Sequence, residues 1–207
     1  MCQNPSFIPG FIHNLSGYDS HLSIKELGRD KGRIDVIPNT DEKYISFSKE
    51  VSDDIAFIKD GKKEKAPKIK LRFVDPFRFM ASSLDSLAKY VKEFRETAKY
   101  FPKEKLGLVT RKGVYPYDYM DSWEKCEETK LPSIKEFYNK MNDSNISHKD
   151  YKHAKNVWRG FGIKNLGENS DLYVTTDVLI LADVIEHFRD VCIKTPLGTL
   201  HHRGKSN

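Results

Sequence analysis

The 207-residue sequence predicts an α/β chain. Its first part holds short segments in which apolar and polar residues alternate, the period of a half-buried strand. From residue 83 onward apolar residues recur at helical spacing, and the last such pattern is the clearest. Composition agrees: 38% hydrophobic and 12% aromatic residues suffice for a real core in one domain and exclude a disordered chain. The formal charge of +5 permits an acidic partner without requiring one. Three cysteines, Cys2, Cys126 and Cys192, form no Cys-x-x-Cys pair. That fits free thiols in an intracellular, reducing compartment, nuclear or cytoplasmic. No apolar run approaches the ~20 residues of a membrane span, and no signal peptide is visible at the amino end, so no membrane role is expected.

The first stretch of interest is Ile12-His13-Asn14-Leu15-Ser16-Gly17-Tyr18-Asp19. It reads as an apolar run, a turn at Gly17, and then a helix in which Leu22, Ile24 and Leu27 are apolar and Gly28 is the stop. Asp19 at that junction could hold a divalent metal or could simply cap the helix, and on these residues alone the cap is the better account. Strands are predicted over 34–37 and 43–48, then a polar loop over 51–54. A strand over 55–58 leads into Asp60-Gly61, a hairpin signal. The strand 68–74 ends at Asp75-Pro76, completing a meander of antiparallel strands. Lys59, Lys62, Lys63, Lys65 and Lys68 crowd its turn, as a solvated hairpin tip would.

Helical patterns follow. Residues 83–91 place Leu84, Leu87, Ala88 and Val91 on one side, with Ser82 or Ser83 as cap. Residues 106–121 are irregular and aromatic. Two short helices are predicted over 132–141 and 147–161, joined by 142–145, with Phe137, Met141, Ala154, Val157, Trp158 and Phe161 buried. The last helix runs from Asp171 through Phe188 and is apolar nearly all round.

Asp177 is the exception in that helix. An acid among Val174, Val178, Ile180 and Leu181 costs several kcal/mol if buried without a partner. Tyr173 lies one turn earlier on the same face. A phenol beside a carboxylate could position a water near a metal. On spacing alone, a half-exposed acid in the first turns, favoured by the helix dipole, is the simpler account. Other candidates fall away. Gly204-Lys205-Ser206 lacks the upstream glycine of a phosphate loop. His148 and His153 read as solvated on a polar helix, and Trp123, Trp158 and the tyrosines of 115–119 as packing, with Tyr115 also facing a groove.

Taken together, Asn14-Leu15-Ser16-Gly17-Tyr18-Asp19 and Tyr173-x-x-x-Asp177 resemble the second and third motifs of the proofreading domain of family B DNA polymerases. The similarity is greatest to the protein-primed branch of viruses, linear plasmids and virus-like transposons. Between them, Ser83-Leu84-Asp85-Ser86-Leu87 resembles that branch's Ser/Thr-Leu-x-x-apolar motif, and Lys112-Gly113-Val114-Tyr115 its Lys-x-x-apolar motif. The resemblance covers residues 11–192.

The resemblance implies an RNase H-like fold, a mixed sheet flanked by helices, and two-metal hydrolysis of a DNA 3′ end with Mg²⁺ or Mn²⁺. Asp19 and Asp177 would be metal ligands, with their carboxylates within about 8 Å of each other. Tyr173 would orient the attacking water and Lys112 would stabilise charge on the phosphate. Asn14, Tyr18, Ser83 and Leu84 would hold the single strand. Two departures qualify this. The family's first motif, Asp-x-Glu, supplies two further carboxylates, and this sequence contains no Asp-x-Glu anywhere. It also contains no Asp-Thr-Asp of a polymerase palm. The expectation is therefore an incomplete exonuclease domain over 1–194, its first catalytic strand missing, with a divergent, disordered tail over 195–207. It would be a polymerase fragment or mobile-element copy, inactive alone. The alternative is a non-catalytic single-stranded DNA-binding module or an interaction domain.

Overall fold

In the computed structural model of the chain, the described residues hold six strands before residue 83 and five α-helices after it. It describes residues 7–15, 25–29, 32–40, 43–51, 56–59, 62–65 and 69–194. The chain divides into two compact units, residues 1–82 and 83–207. The turn and helix start expected over 16–24, with Tyr18 and Asp19, lie outside the described residues, as does the tail over 195–207. Residues 25–27 are helical and a turn follows at 28–29, where the Arg29 N–H donates to the Glu26 carbonyl at 3.1 Å.

In the first unit, β1 (Ile8–Phe11), β2 (Ile34–Thr40), β3 (Lys43–Glu50) and β6 (Lys70–Val74) form one mixed sheet in the order β1-β6-β3-β2. β4 (Ala56–Lys59) and β5 (Lys62–Lys65) form a separate antiparallel hairpin. The expected continuous antiparallel meander is thus corrected on two counts. β3 pairs directly with β6 across the hairpin, and β1 runs parallel to β6. The direct pairing places Phe47 opposite Phe73, their rings stacked at 4.7 Å, and Phe47 is fully buried. Such a cross-strand aromatic pair fixes register better than the lysine-rich hairpin could. Asp75, fully buried, closes the parallel pair: its Oδ1 accepts the Asn14 N–H at 2.8 Å and the Phe77 N–H at 3.0 Å. Asn14 itself sits at φ 62, in the left-handed region that asparagine tolerates.

The second unit is built around one long helix. The helices are α1 (Leu84–Ala88), α2 (Arg95–Tyr100), α3 (Leu106–Val109), α4 (His148–Phe161) and α5 (Leu166–Lys194). α1 and α2 pack on α5. Ser83 caps α1, accepting the Ser86 N–H at 3.2 Å, and Leu84, Ala88 and Val91 are buried as the pattern requires. Ser147 caps α4 through the Asp150 N–H at 3.0 Å, and Gly162 ends it in the left-handed conformation, φ 65. α5 starts five residues before the expected Asp171, because the Asn165 Oδ1 accepts the Glu168 N–H at 2.9 Å. Nor is α5 apolar all round: Asn169, Thr176 and Asp183 are buried, whereas Val174 and Val178 are exposed.

The helix expected over 132–141 is only a 3-10 turn, Ile134–Phe137. Beyond it Asn139 and Ser144 exchange backbone hydrogen bonds at 2.9 and 3.3 Å, closing a loop instead of continuing a helix. Phe137 and Ala154 are buried as expected, but Met141 is 92% exposed at the loop tip and Trp123 is 88% exposed. Residues 95–100 were not foreseen as a helix, since Phe94 offers no capping side chain. The cap comes from α5. Asp183, buried, accepts the Glu96 N–H at 2.7 Å, the Thr97 N–H at 3.0 Å and the Thr97 hydroxyl at 2.6 Å. Asp183→Ala should leave those donors stranded and destabilise the chain by about 3 kcal/mol, read as a lower urea midpoint.

Candidate functional site around Tyr173 and Asp177

One turn of α5 separates Tyr173 from Asp177, so both side chains leave the helix on one face. Their surroundings come from the irregular segment 110–119. Gly113 lies so close to the helix that an added Cβ would stand 2.7 Å from Cδ2 of Tyr173, inside any real contact. The Tyr173 ring also stacks on Tyr115, with centroids 4.8 Å apart and planes at 27°. Tyr117 meets the same ring edge-on at 5.9 Å, and the Tyr117 and Tyr173 hydroxyls are hydrogen-bonded. Tyr115 is fixed in turn: its hydroxyl donates to Ser170 Oγ at 2.8 Å, because the Ser170 proton goes to the Leu166 carbonyl. The Tyr173 ring is therefore clamped, and its hydroxyl position is set.

The electrostatics are those of a partly dry site. Burial pushes the Tyr173 phenol far above its ordinary range, and the Tyr117 hydrogen bond and the Asp177 charge push it further. It stays a neutral hydrogen-bond donor. Asp177 is also raised, by burial first, against the opposing pull of the Lys112 ammonium and the Tyr173 hydroxyl. Its Oδ1 is buried and has no hydrogen-bond partner. Lys112 thus stands close enough to influence Asp177, one residue from the glycine that touches Tyr173. Beside this group Arg111 pairs with Asp150 at 2.7 Å and anchors the segment to the start of α4. His153 is a correction: it is half-buried, its Nε2 has no partner, and burial, aided by Arg111, lowers its pKa.

Of the residues singled out from the sequence, the fold gathers Lys112, Tyr173 and Asp177. Ser83 spends its hydroxyl on capping α1 and Leu84 is in the core, so both build the helix that carries Asp85. Asn14 belongs to the other unit, exposed, with its N–H on Asp75. Tyr18 and Asp19, and with them the expected Asp19–Asp177 spacing, lie outside the described residues. Sequence reasoning missed Gly113 and Tyr117. The available signal was the run Lys-Gly-Val-Tyr-Pro-Tyr, whose glycine and alternating phenols suit a helix tyrosine in need of packing. As to a divalent metal, Asp177 offers a buried oxygen of the right chemistry. Yet among the described residues no three His, Cys, Asp or Glu side chains converge. The second expected acid, Asp19, lies outside the described residues, and no metal-dependent step is assigned to these residues.

An α/β chain with a mixed sheet agrees with an RNase H-like exonuclease domain. A family model described as DNA polymerase type B, organellar and viral, matches residues 5–195. The chain belongs to that polymerase family, whose work is DNA replication, whose members bind DNA and which usually employs divalent metals. No curated protein and no solved structure matches it. Among the described residues no helix is long and apolar enough to cross a membrane.

Two outcomes test the geometry. Since burial favours the protonated form of Asp177, its contribution to stability is complete below the unfolded value of 3.8 and is lost as pH rises through the higher folded value. Asp177→Asn should therefore raise the urea midpoint at neutral pH, and the gain should vanish as pH falls toward 3.8. Gly113→Ala should cost about 1–3 kcal/mol, because the clamped ring cannot yield, and should alter the tyrosine side-chain NMR signals of the cluster.

Proposed function

We propose that this chain is most of the 3′-5′ proofreading exonuclease region of a family B DNA polymerase, and that Lys112, Tyr173 and Asp177 receive the 3′ end of a single DNA strand. The observation that carries this reading is the buried, unpartnered Oδ1 of Asp177 beside a clamped phenol and a lysine, in a chain of this family. A fold retains an uncompensated buried carboxylate at a cost to stability, and such sites concentrate where chemistry or binding needs them. In this reading Lys112 faces the terminal phosphate and balances its charge. The neutral Tyr173 hydroxyl donates to a phosphate oxygen or a water held there. Asn14, Tyr18, Ser83 and Leu84 as strand contacts, and Asp19 as a second acid, enter through the resemblance.

The chain is a piece of a polymerase, of viral or mobile-element type, and does not hydrolyse the strand unaided. The sequence has no Asp-x-Glu, so the charge that would hold two divalent cations a few ångströms apart is short by two carboxylates. Nucleotidyl transfer lies outside it, for want of palm motifs. A second reading is a module that binds single-stranded DNA without cutting it, favoured by a sequence in which Asp-x-Glu does not occur.

The test is a 5′-labelled single-stranded oligonucleotide offered to the chain with Mg²⁺ or Mn²⁺. Retention without shortening, weakening as salt rises, is the expected result. Shortening that disappears in Asp177→Ala would overturn the inactivity and leave the exonuclease assignment standing. Neither retention nor shortening would sink the DNA-end reading and leave an interaction domain.

A further inference from the structure

We infer that the cavity beside this site, between the segment 111–117 and the loop 137–146, is a nucleobase pocket for a nucleotide upstream of the strand end. The inference rests on the DNA-end reading above. The cavity measures about 330 Å³, within the ordinary range for small-ligand sites. One wall is Lys112, Tyr115 and Tyr117, the same residues that hold or adjoin Tyr173. The opposite wall presents Tyr138, Asn142 and Asn145.

Its chemistry favours a base over a phosphate. The charged side chains lining it cancel, Arg111 and Lys112 against Asp85 and Asp150, and Arg111 is already paired with Asp150. What remains is aromatic surface and carboxamide groups. Bases of single strands are held by just these groups, ring faces for stacking and amides for their polar edges. The outer wall is pre-organised. The Asn139–Ser144 backbone pair closes the loop, the Asn139 Oδ1 accepts the Asn142 N–H at 3.1 Å, and the Tyr138 hydroxyl is bonded to Asp143. The Lys140 N–H donates to Asp118 Oδ2 at 2.8 Å, which ties the loop to the tyrosine segment. Little ordering is left to oppose binding.

A second cavity, of about 440 Å³, shares Asp85, Arg111 and Asp150 with the first and adds Lys89 and Lys149. Its lining carries one net positive charge, Lys89, Arg111 and Lys149 against Asp85 and Asp150. The neutral pocket takes the base, and the strand's phosphates continue over Lys149, Lys89 being paired with Asp85 at 2.8 Å.

The test measures binding of fluorescent oligothymidylate to the full chain, to Asn142→Ala/Asn145→Ala and to Lys149→Ala. Both asparagines are exposed, so the variant should fold, which circular dichroism checks. The double variant should bind about tenfold more weakly, or ~1.4 kcal/mol. An abasic position placed in turn along the oligonucleotide should reproduce that loss at one position with the parent chain, and add nothing with the double variant. Lys149→Ala should reduce the salt dependence by about one counterion without changing the abasic pattern. If the parent binds but the double variant matches it and every abasic position behaves alike, the pocket is refuted and the DNA-end reading survives. If the parent binds no oligonucleotide, the DNA-end reading fails and takes the pocket with it.

Discussion

The close approach of a peptide backbone to one aromatic ring sets the geometry of the second unit. At Gly113 the chain comes within reach of the Tyr173 ring as only glycine can, and Tyr115 stacks on the ring. A ring packed by Gly113 and Tyr115 has little room to swing, so its hydroxyl is delivered to Tyr117 and toward Asp177. The same approach brings Lys112 to the acid, because it is the residue before the glycine. The Tyr115 hydroxyl on Ser170 and the Tyr117 hydroxyl on Tyr173 hold the rest of the irregular segment 110–119 against α5, so the lysine, phenol and carboxylate meet.

Two aspartates on α5 show what burial does and does not imply. Asp183 is the more deeply buried, yet three donors satisfy it, and its task is to begin α2. Asp177 is only half-buried, but one oxygen has no partner and burial holds its pKa up. A satisfied acid adds to the fold, while an unsatisfied one weakens it. Depth of burial therefore does not tell the two apart; the state of their hydrogen bonds does.

Much of the fold was legible where the signal was local. The serine before Leu84, the helical spacing over 147–161, the alternation around Phe47 and the long apolar pattern after Asp171 each specify an element through neighbours a few residues away. The loop 138–144 was misread because Phe137 and Met141 fall at helical spacing, although a backbone pair between Asn139 and Ser144 turns the chain back and leaves Met141 in solvent. In the site, Lys112, Tyr173 and Asp177 were readable as motifs. Tyr115 and Tyr117 passed for packing because an aromatic residue carries no mark of which ring it will meet.

By itself the sequence determined the α/β class, the positions of α1 and α4, the polymerase kinship and the lack of Asp-x-Glu, all of which depend on residue identity and short spacing. Tertiary structure alone decided that β1 runs parallel to β6, that α2 exists, and that Asp177 keeps an oxygen in need of a partner. The reason is one of distance along the chain. Asp75 receives an amide sixty-one positions away, and Asp183 caps a helix that starts more than eighty positions before it. No periodicity records a hydrogen bond made across such a gap; only the folded chain brings donor and acceptor together.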